Sequence, residues 1–284
     1  MWLSAHAVPC IELAADRYWI ALDVLAQVMI VKLRYFTKRP NWGDALNPYL
    51  IKKLIGVDVL RYGQQPPPAG THLLAMGSIL HWANADSIVW GTGAVSPAAR
   101  LPTRPSRILA VRGPLTRQIC LKHDIGCPEV YGDPALLLPR IYAPSARRER
   151  YDVGVILHYV DKQSEFAQRC RAECVKLIDV YADTEQFVDE VCSCAAVLSS
   201  SLHGLICADA YGVPSKWIEV SNKVIGQGFK FRDYYASVGR PWEQSAKVGG
   251  GTNIAALSAL CDLRTPSLDG DALKQVLMTY ISGH

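Results

Sequence analysis

From about residue 29 onward, short apolar runs alternate with stretches of helical period. Val28–Tyr35 is rich in β-branched residues and predicts a first strand. A turn over Lys38–Gly43 precedes a helix from about Asp44 to Ile55, whose Leu46, Leu50, Ile51 and Leu54 share one face. Gly56 stands where a helix commonly ends on a left-handed residue. Further strands are expected at Val57–Leu60, His72–Met76, Ser87–Trp90, Arg107–Val111 and Glu129–Tyr131. A helix over Pro114–Lys122 opens on a proline, whose missing N–H costs nothing in the first turn.

Pro139–Arg150 interrupts this pattern with two prolines and Arg147, Arg148 and Arg150, and reads as a linker. A second alternation follows it. Strands are expected at Val153–Leu157, Val175–Val180, Ala195–Ser199 and Ser215–Val220. Helices between them span Lys162–Glu173, Thr184–Cys192 and His203–Tyr211. Strands separated by helices mean parallel sheets. The chain thus divides into an N-terminal extension (1–28), a first α/β half (29–140) and a second (151–284), with a cleft between two doubly wound domains. Residues 241–265, with Gly249–Gly251, read as a long loop, and Leu268–Ile281 as a last helix able to pack on either half. No internal sequence repeat is apparent.

In such sheets, ligands lie beyond the carboxyl ends of the strands. The first predicted strand is followed by Asn41-Trp42-Gly43-Asp44, which by itself reads as a turn and helix cap. Gly77-Ser78 and Gly91-Thr92-Gly93 follow later strands, without the six-residue dinucleotide fingerprint or a Walker lysine. Arg112-Gly113-Pro114 sets an arginine between a strand and a proline-started helix, a place suited to clamping phosphate or carboxylate. Asp133 before Pro134 reads as a turn former. His158 ends a strand facing the cleft. Ser199, Ser200, Ser201, Leu202, His203 and Gly204 form the strongest constellation: hydroxyls and an imidazole at the start of a small apolar helix, where free amides favour an anion. No GxSxG elbow supports a serine hydrolase.

Thirty basic and 26 acidic residues leave a net charge of +4, too mild for a nucleic-acid partner but compatible with an anionic substrate. Nine cysteines, at 10, 120, 127, 170, 174, 192, 194, 207 and 261, form no CxxC pair, and most sit among apolar neighbours. They suggest buried thiols in the cytoplasm. No run reaches the ~18 apolar residues of a membrane span.

Asn41-Trp42-Gly43-Asp44 with Asn47, Arg112-Gly113-Pro114, Gly132-Asp133-Pro134, and above all Ser201-Leu202-His203-Gly204 with Ala208 and Gly212-Val213-Pro214, resemble the polysaccharide pyruvyltransferase family. Leu157-His158-Tyr159-Val160-Asp161 is similar to its exopolysaccharide branch. The resemblance implies two Rossmann-like domains facing a GT-B-like cleft. It also implies transfer of pyruvate from phosphoenolpyruvate, a co-substrate, onto two hydroxyls of a sugar or lipid-linked oligosaccharide, with no metal or other cofactor. It makes His203 and Arg112 catalytic and donor-binding residues. Leu202 and Gly204, with Ser200 and Ser201, would complete the donor site. His158 extends this as a second acid, base or acceptor contact. Asn41, Asp44 and Ser78 fall on the acceptor side. A cytoplasmic enzyme is implied, at the inner face of the membrane where its acceptor is lipid-linked; Arg100, Arg104 and Arg107, with the Arg147–Arg150 cluster, read either as a basic contact to that surface or as a solvated basic face. Two alternatives stand beside it. One is a GT-B glycosyltransferase using Glu219 for a nucleotide sugar; the other is a non-catalytic member of a polysaccharide assembly complex.

Overall fold

The computed structural model describes residues 30–38, 40–144, 150–173, 175–263 and 265–283. The expected extension 1–28, Arg147, Arg148, Cys10 and Cys174 lie outside the described residues.

The first half alternates β1 (Ile30–Arg34), α1 (Trp42–Ile55), β2 (Asp58–Tyr62), β3 (His72–Leu74), β4 (Ser87–Trp90), β5 (Arg107–Ala110) and α2 (Pro114–Lys122). The second runs through β6 (Tyr151–Ile156), α3 (Glu165–Ala172), β7 (Lys176–Ile178), α4 (Thr184–Cys192), β8 (Cys194–Ser199), α5 (Leu202–Tyr211) and β9 (Ser215–Glu219). It continues with α6 (Phe229–Ser237), β10 (Ala246–Lys247), α7 (Ile254–Ser258) and α8 (Gly270–Ser282). Each half builds a five-stranded, wholly parallel sheet.

The sheet orders are β2-β1-β3-β4-β5 and β10-β9-β8-β6-β7. Counted within each half, both follow the doubly wound order 2-1-3-4-5. The sequence shows no repeat, yet the topology repeats. In this order the crevice opens between the first and third strands, where the winding reverses. Those points are β1/β3 in one half and β6/β8 in the other.

Several expectations shift. Glu129–Tyr131 contributes only an isolated bridge, between Val111 and Tyr131. Pro134–Arg140 forms a 3-10 turn whose Ala135, Leu137 and Leu138 are buried, so Pro139 and Arg140, the first two residues of the stretch read as a linker, belong to a packed turn of the first half. Residues 241–265 contain β10 and α7. The last helix packs on the first sheet: Leu273 and Leu277 are buried, and the Trp90 indole N–H donates to the Leu273 carbonyl at 2.8 Å. Cys120, Cys127, Cys170, Cys194 and Cys207 are buried thiols. Among the described residues no helix is long and apolar enough to cross a membrane.

Helix α6 was not predicted, and it joins the halves. It packs against α2, where the Arg112 guanidinium and Asp233 meet with both side chains almost fully buried. Arg112 Nε and Nη2 each lie 3.0 Å from Asp233 Oδ2. The Thr116 backbone N–H and hydroxyl donate to the same carboxylate at 2.9 and 2.6 Å. Gly113 allows this approach, because a Cβ there would overlap the Asp233 carbonyl. Helix α1 makes a second junction: Trp42 stacks on Phe187 with centroids 4.5 Å apart, and its indole N–H donates to the Thr184 carbonyl at 3.0 Å.

Candidate active site

The loops after β1, β3, β6 and β8 carry most of the predicted site residues. After β1, Asn41 caps α1 in a capping box. Its Oδ1 accepts from the Gly43 and Asp44 amides, and its Nδ2 donates to Asp44 Oδ2 at 2.7 Å. Asn41 therefore orients Asp44, and its side-chain amide is already engaged. Asn47 is fully buried and accepts from the Met76 N–H at 2.9 Å, tying α1 to the loop after β3. Asp44 itself is buried. Burial pushes its carboxyl up to about 6, against the pull of His203, the Asn41 N–H and Lys230.

His203 reaches across from the first turn of α5. Its ring lies against Gly43, where any Cβ would overlap the imidazole. This close approach explains why a glycine precedes Asp44. On the other side, His203 Nε2 stands 3.6 Å from Asp133 Oδ2, and neither atom finds a hydrogen bond among the described residues. Asp133 Oδ1 accepts from the Ala135 N–H at 3.0 Å, as a turn former would. Its second oxygen gives it a further position, beside the histidine.

His158 caps a 3-10 turn. Burial, then the charge of Lys230, lower it to about 3, so its imidazole is neutral at physiological pH. It is thus suited to make neutral hydrogen bonds rather than to take up a proton or act as a cationic acid. Ser200 accepts from the His158 N–H at 2.8 Å and donates to Asp161 at 3.3 Å. The Ser199 hydroxyl is likewise engaged with backbone around it. Ser201 begins α5 without a side-chain cap, leaving the Leu202 and His203 amides at an uncapped helix start. Gly204 packs against Ser199 and Ile156.

Arg112 differs most from its expected place. Its guanidinium is spent on Asp233, on the Ala94 carbonyl at 2.8 Å and on the Ser78 hydroxyl at 2.8 Å. Its charge is matched inside the protein, and the Ser78 hydroxyl is occupied as well. The cation that sequence reasoning missed is Lys230, in the first turn of α6. Burial and the nearby Arg112 lower its ammonium to about 8, while Asp44 works the other way. The Lys230 ammonium forms no hydrogen bond or ion pair with a described residue. Asp44, His203, Lys230 and His158 thus form one electrostatically connected group drawn from both halves. Glu219 accepts from the Ser245 hydroxyl at 3.0 Å and lines a separate cavity of about 210 Å³.

A family model described as polysaccharide pyruvyl transferase matches residues 74–222, just over half of the chain. The chain belongs to the polysaccharide pyruvyl transferase family. The matched span includes Arg112, Asp133, His158 and Ser201–Gly204, while Asp44 and Lys230 complete the group from outside it. Uncharacterized protein L143 of Acanthamoeba polyphaga mimivirus is 28% identical over 223 residues, covering 76% of this chain and 77% of that protein. Succinoglycan biosynthesis protein ExoV of Rhizobium meliloti (strain 1021) is 25% identical over 207 residues. That alignment covers 70% of this chain and 62% of ExoV, less than two thirds of the relative's length.

Proposed function

We propose that this pyruvyl transferase uses phosphoenolpyruvate as donor and converts two hydroxyls of one sugar in a polysaccharide repeat unit into a cyclic pyruvate ketal. The observation that carries the reading is the Lys230 ammonium, over the Phe231 ring but without a hydrogen bond or ion pair among the described residues, set with His203 and the uncapped start of α5 around a buried carboxylate. The donor brings a carboxylate and a phosphate; a helix start and an ammonium are complementary to both. The equal winding of the two sheets supports a GT-B-like arrangement in which the second half holds the donor.

The donor carries its own enol and leaving group, so the reaction needs no cofactor. Protonation of C3 makes C2 electrophilic. A sugar hydroxyl adds to C2, the C2–O bond to phosphate breaks, and the second hydroxyl closes the ring. Two hydroxyl protons are lost; one is balanced by the proton on C3 and the other leaves on phosphate. His203 is placed to supply the C3 proton, with Asp133 orienting its ring. Asp44, held near neutrality in its pKa, takes the hydroxyl proton. Phosphoenolpyruvate is a cytoplasmic metabolite, so the reaction belongs there, at the inner membrane face if the acceptor is lipid-linked.

Thermal unfolding with added ligand tests the donor. Phosphoenolpyruvate at about 100 times its Kd stabilises by about 2.7 kcal/mol and raises Tm, whereas nucleotide sugars leave it unchanged. Stabilisation by nucleotide sugars alone would replace this reading with a glycosyltransferase built on Glu219.

A further inference from the structure

The carboxyl ends of β6, β7 and β9 enclose a cavity of about 740 Å³ that the reaction as written does not use. Two exposed tyrosines, Tyr159 and Tyr181, line it together with Arg171, Lys162 and Lys223. Lys162 is paired with Asp179 at 2.7 Å and stands over the Tyr181 ring at 4.8 Å. Arg171 spends one N–H on the Lys162 carbonyl at 2.9 Å, and no other described residue engages the rest of its fork. The cavity's acidic group, Asp161, is buried and held by the Ser200 and Ser221 hydroxyls at 3.3 and 2.5 Å. Available charge at the mouth is therefore positive.

This cavity is joined to the reaction centre. The Tyr159 ring packs on the His158 ring, centroids 4.3 Å apart, and His158 feels the charge of Lys230. Ser221 borders both this cavity and the smaller one that Ser200 lines. A ligand seated on Tyr159 is one aromatic ring away from the candidate catalytic group.

We infer that this cavity binds a phosphorylated sugar of the acceptor, its pyranose against Tyr159 and its phosphate on Arg171 and Lys223. Exposed aromatic faces suit the C–H face of a sugar, and a guanidinium fork suits phosphate. The inference deepens the pyruvyl-transfer reading, since it makes the second half hold part of the acceptor as well as the donor.

The test is calorimetric titration of the full chain with glucose, galactose and mannose 1-phosphates, their methyl glycosides, and inorganic pyrophosphate. At least one hexose phosphate is expected to bind about tenfold more tightly than its methyl glycoside and than pyrophosphate. Tyr159→Ala and Arg171→Ala with Lys223→Ala each weaken it about tenfold, while Tyr159→Phe preserves it. Phosphoenolpyruvate binding is unchanged in all of these variants. Lys230→Ala does the reverse, losing phosphoenolpyruvate and keeping the hexose phosphate. Equal binding of pyrophosphate with no effect of Tyr159→Ala, weakening only in Lys230→Ala, or no binding of any hexose phosphate would overturn the inference. Hexose phosphate binding at the cavity without phosphoenolpyruvate binding would keep this site and remove the donor.

Discussion

His203 Nε2 and Asp133 Oδ2 face each other at 3.6 Å, two buried polar atoms with no other hydrogen-bond partner among the described residues. A buried acceptor gains about 1–3 kcal/mol when its hydrogen bond is made. A proton on Nε2 gives that carboxylate its missing partner, which makes the pair a place to hold a proton before transfer. His203→Ala is expected to lower kcat by about 10²-fold or more. Asp133→Asn keeps the cap to the Ala135 N–H and the shape of the turn. It is expected to lower kcat about tenfold while leaving the phosphoenolpyruvate KM nearly unchanged. Steady-state kinetics on both variants checks this, and a KM effect without a kcat effect would count against the proton-holding role.

The pH dependence of turnover follows from Asp44 and Lys230. Asp44 must lose its proton to act as a base, and its carboxyl sits at about 6. Lys230 must keep its proton to hold an anion, and its ammonium sits at about 8. The kcat/KM profile is therefore expected to be bell-shaped, with limbs near 6 and 8. Lys230→Arg should carry the alkaline limb upward, because a guanidinium does not titrate in this range. An alkaline limb unmoved in that variant would assign it to another group.

Asp44 should also show a conflict between function and stability. Its folded pKa of about 6 lies above the ordinary aspartate value of 3.8, so the folded chain binds this proton more tightly than the unfolded chain. The stability contributed by the neutral form is lost as pH rises through about 6. Asp44→Asn removes that loss. It is expected to stabilise the protein by up to about 3 kcal/mol at pH 7.5, and by about half as much at pH 5, while abolishing turnover. Urea unfolding at the two pH values measures the difference. A gain independent of pH would mean that packing, not charge burial, sets the effect.

Much of the framework was legible along the chain. Pro114–Lys122 and Thr184–Cys192 coincide with α2 and α4, because proline at a helix start and an amphipathic face are local signals. The strand-end rule led to Asp44, His158 and His203, since it depends on topology rather than on contacts. Helix α6 gave no such signal. Phe229, Phe231, Asp233, Tyr234 and Tyr235 are all buried, so no polar face marks a helical period. Lys230 was hidden along with it. The roles of Arg112 and Asp133 depend on partners distant in sequence, Asp233 and His203, and no local pattern contains those pairings.

The Arg112–Asp233 pair gives the last prediction. Removing one partner of a buried ion pair leaves an uncompensated charge and costs about 3–5 kcal/mol. Arg112→Ala and Asp233→Ala are each expected to lose stability on that scale, measured by urea unfolding. The double variant should lose less than the sum, because the second substitution removes the stranded charge. Asp233 lies one turn after Lys230 on α6, so the clamp also sets where the ammonium points. Just enough denaturation-free protein at low temperature should therefore show a raised phosphoenolpyruvate KM in Arg112→Ala. Arg112→Lys separates the two roles. It keeps the charge but loses the fork, so a positioning arginine leaves it with lowered stability and a donor KM that rises in step with that loss. A raised KM at undiminished stability would instead place the guanidinium on the donor itself.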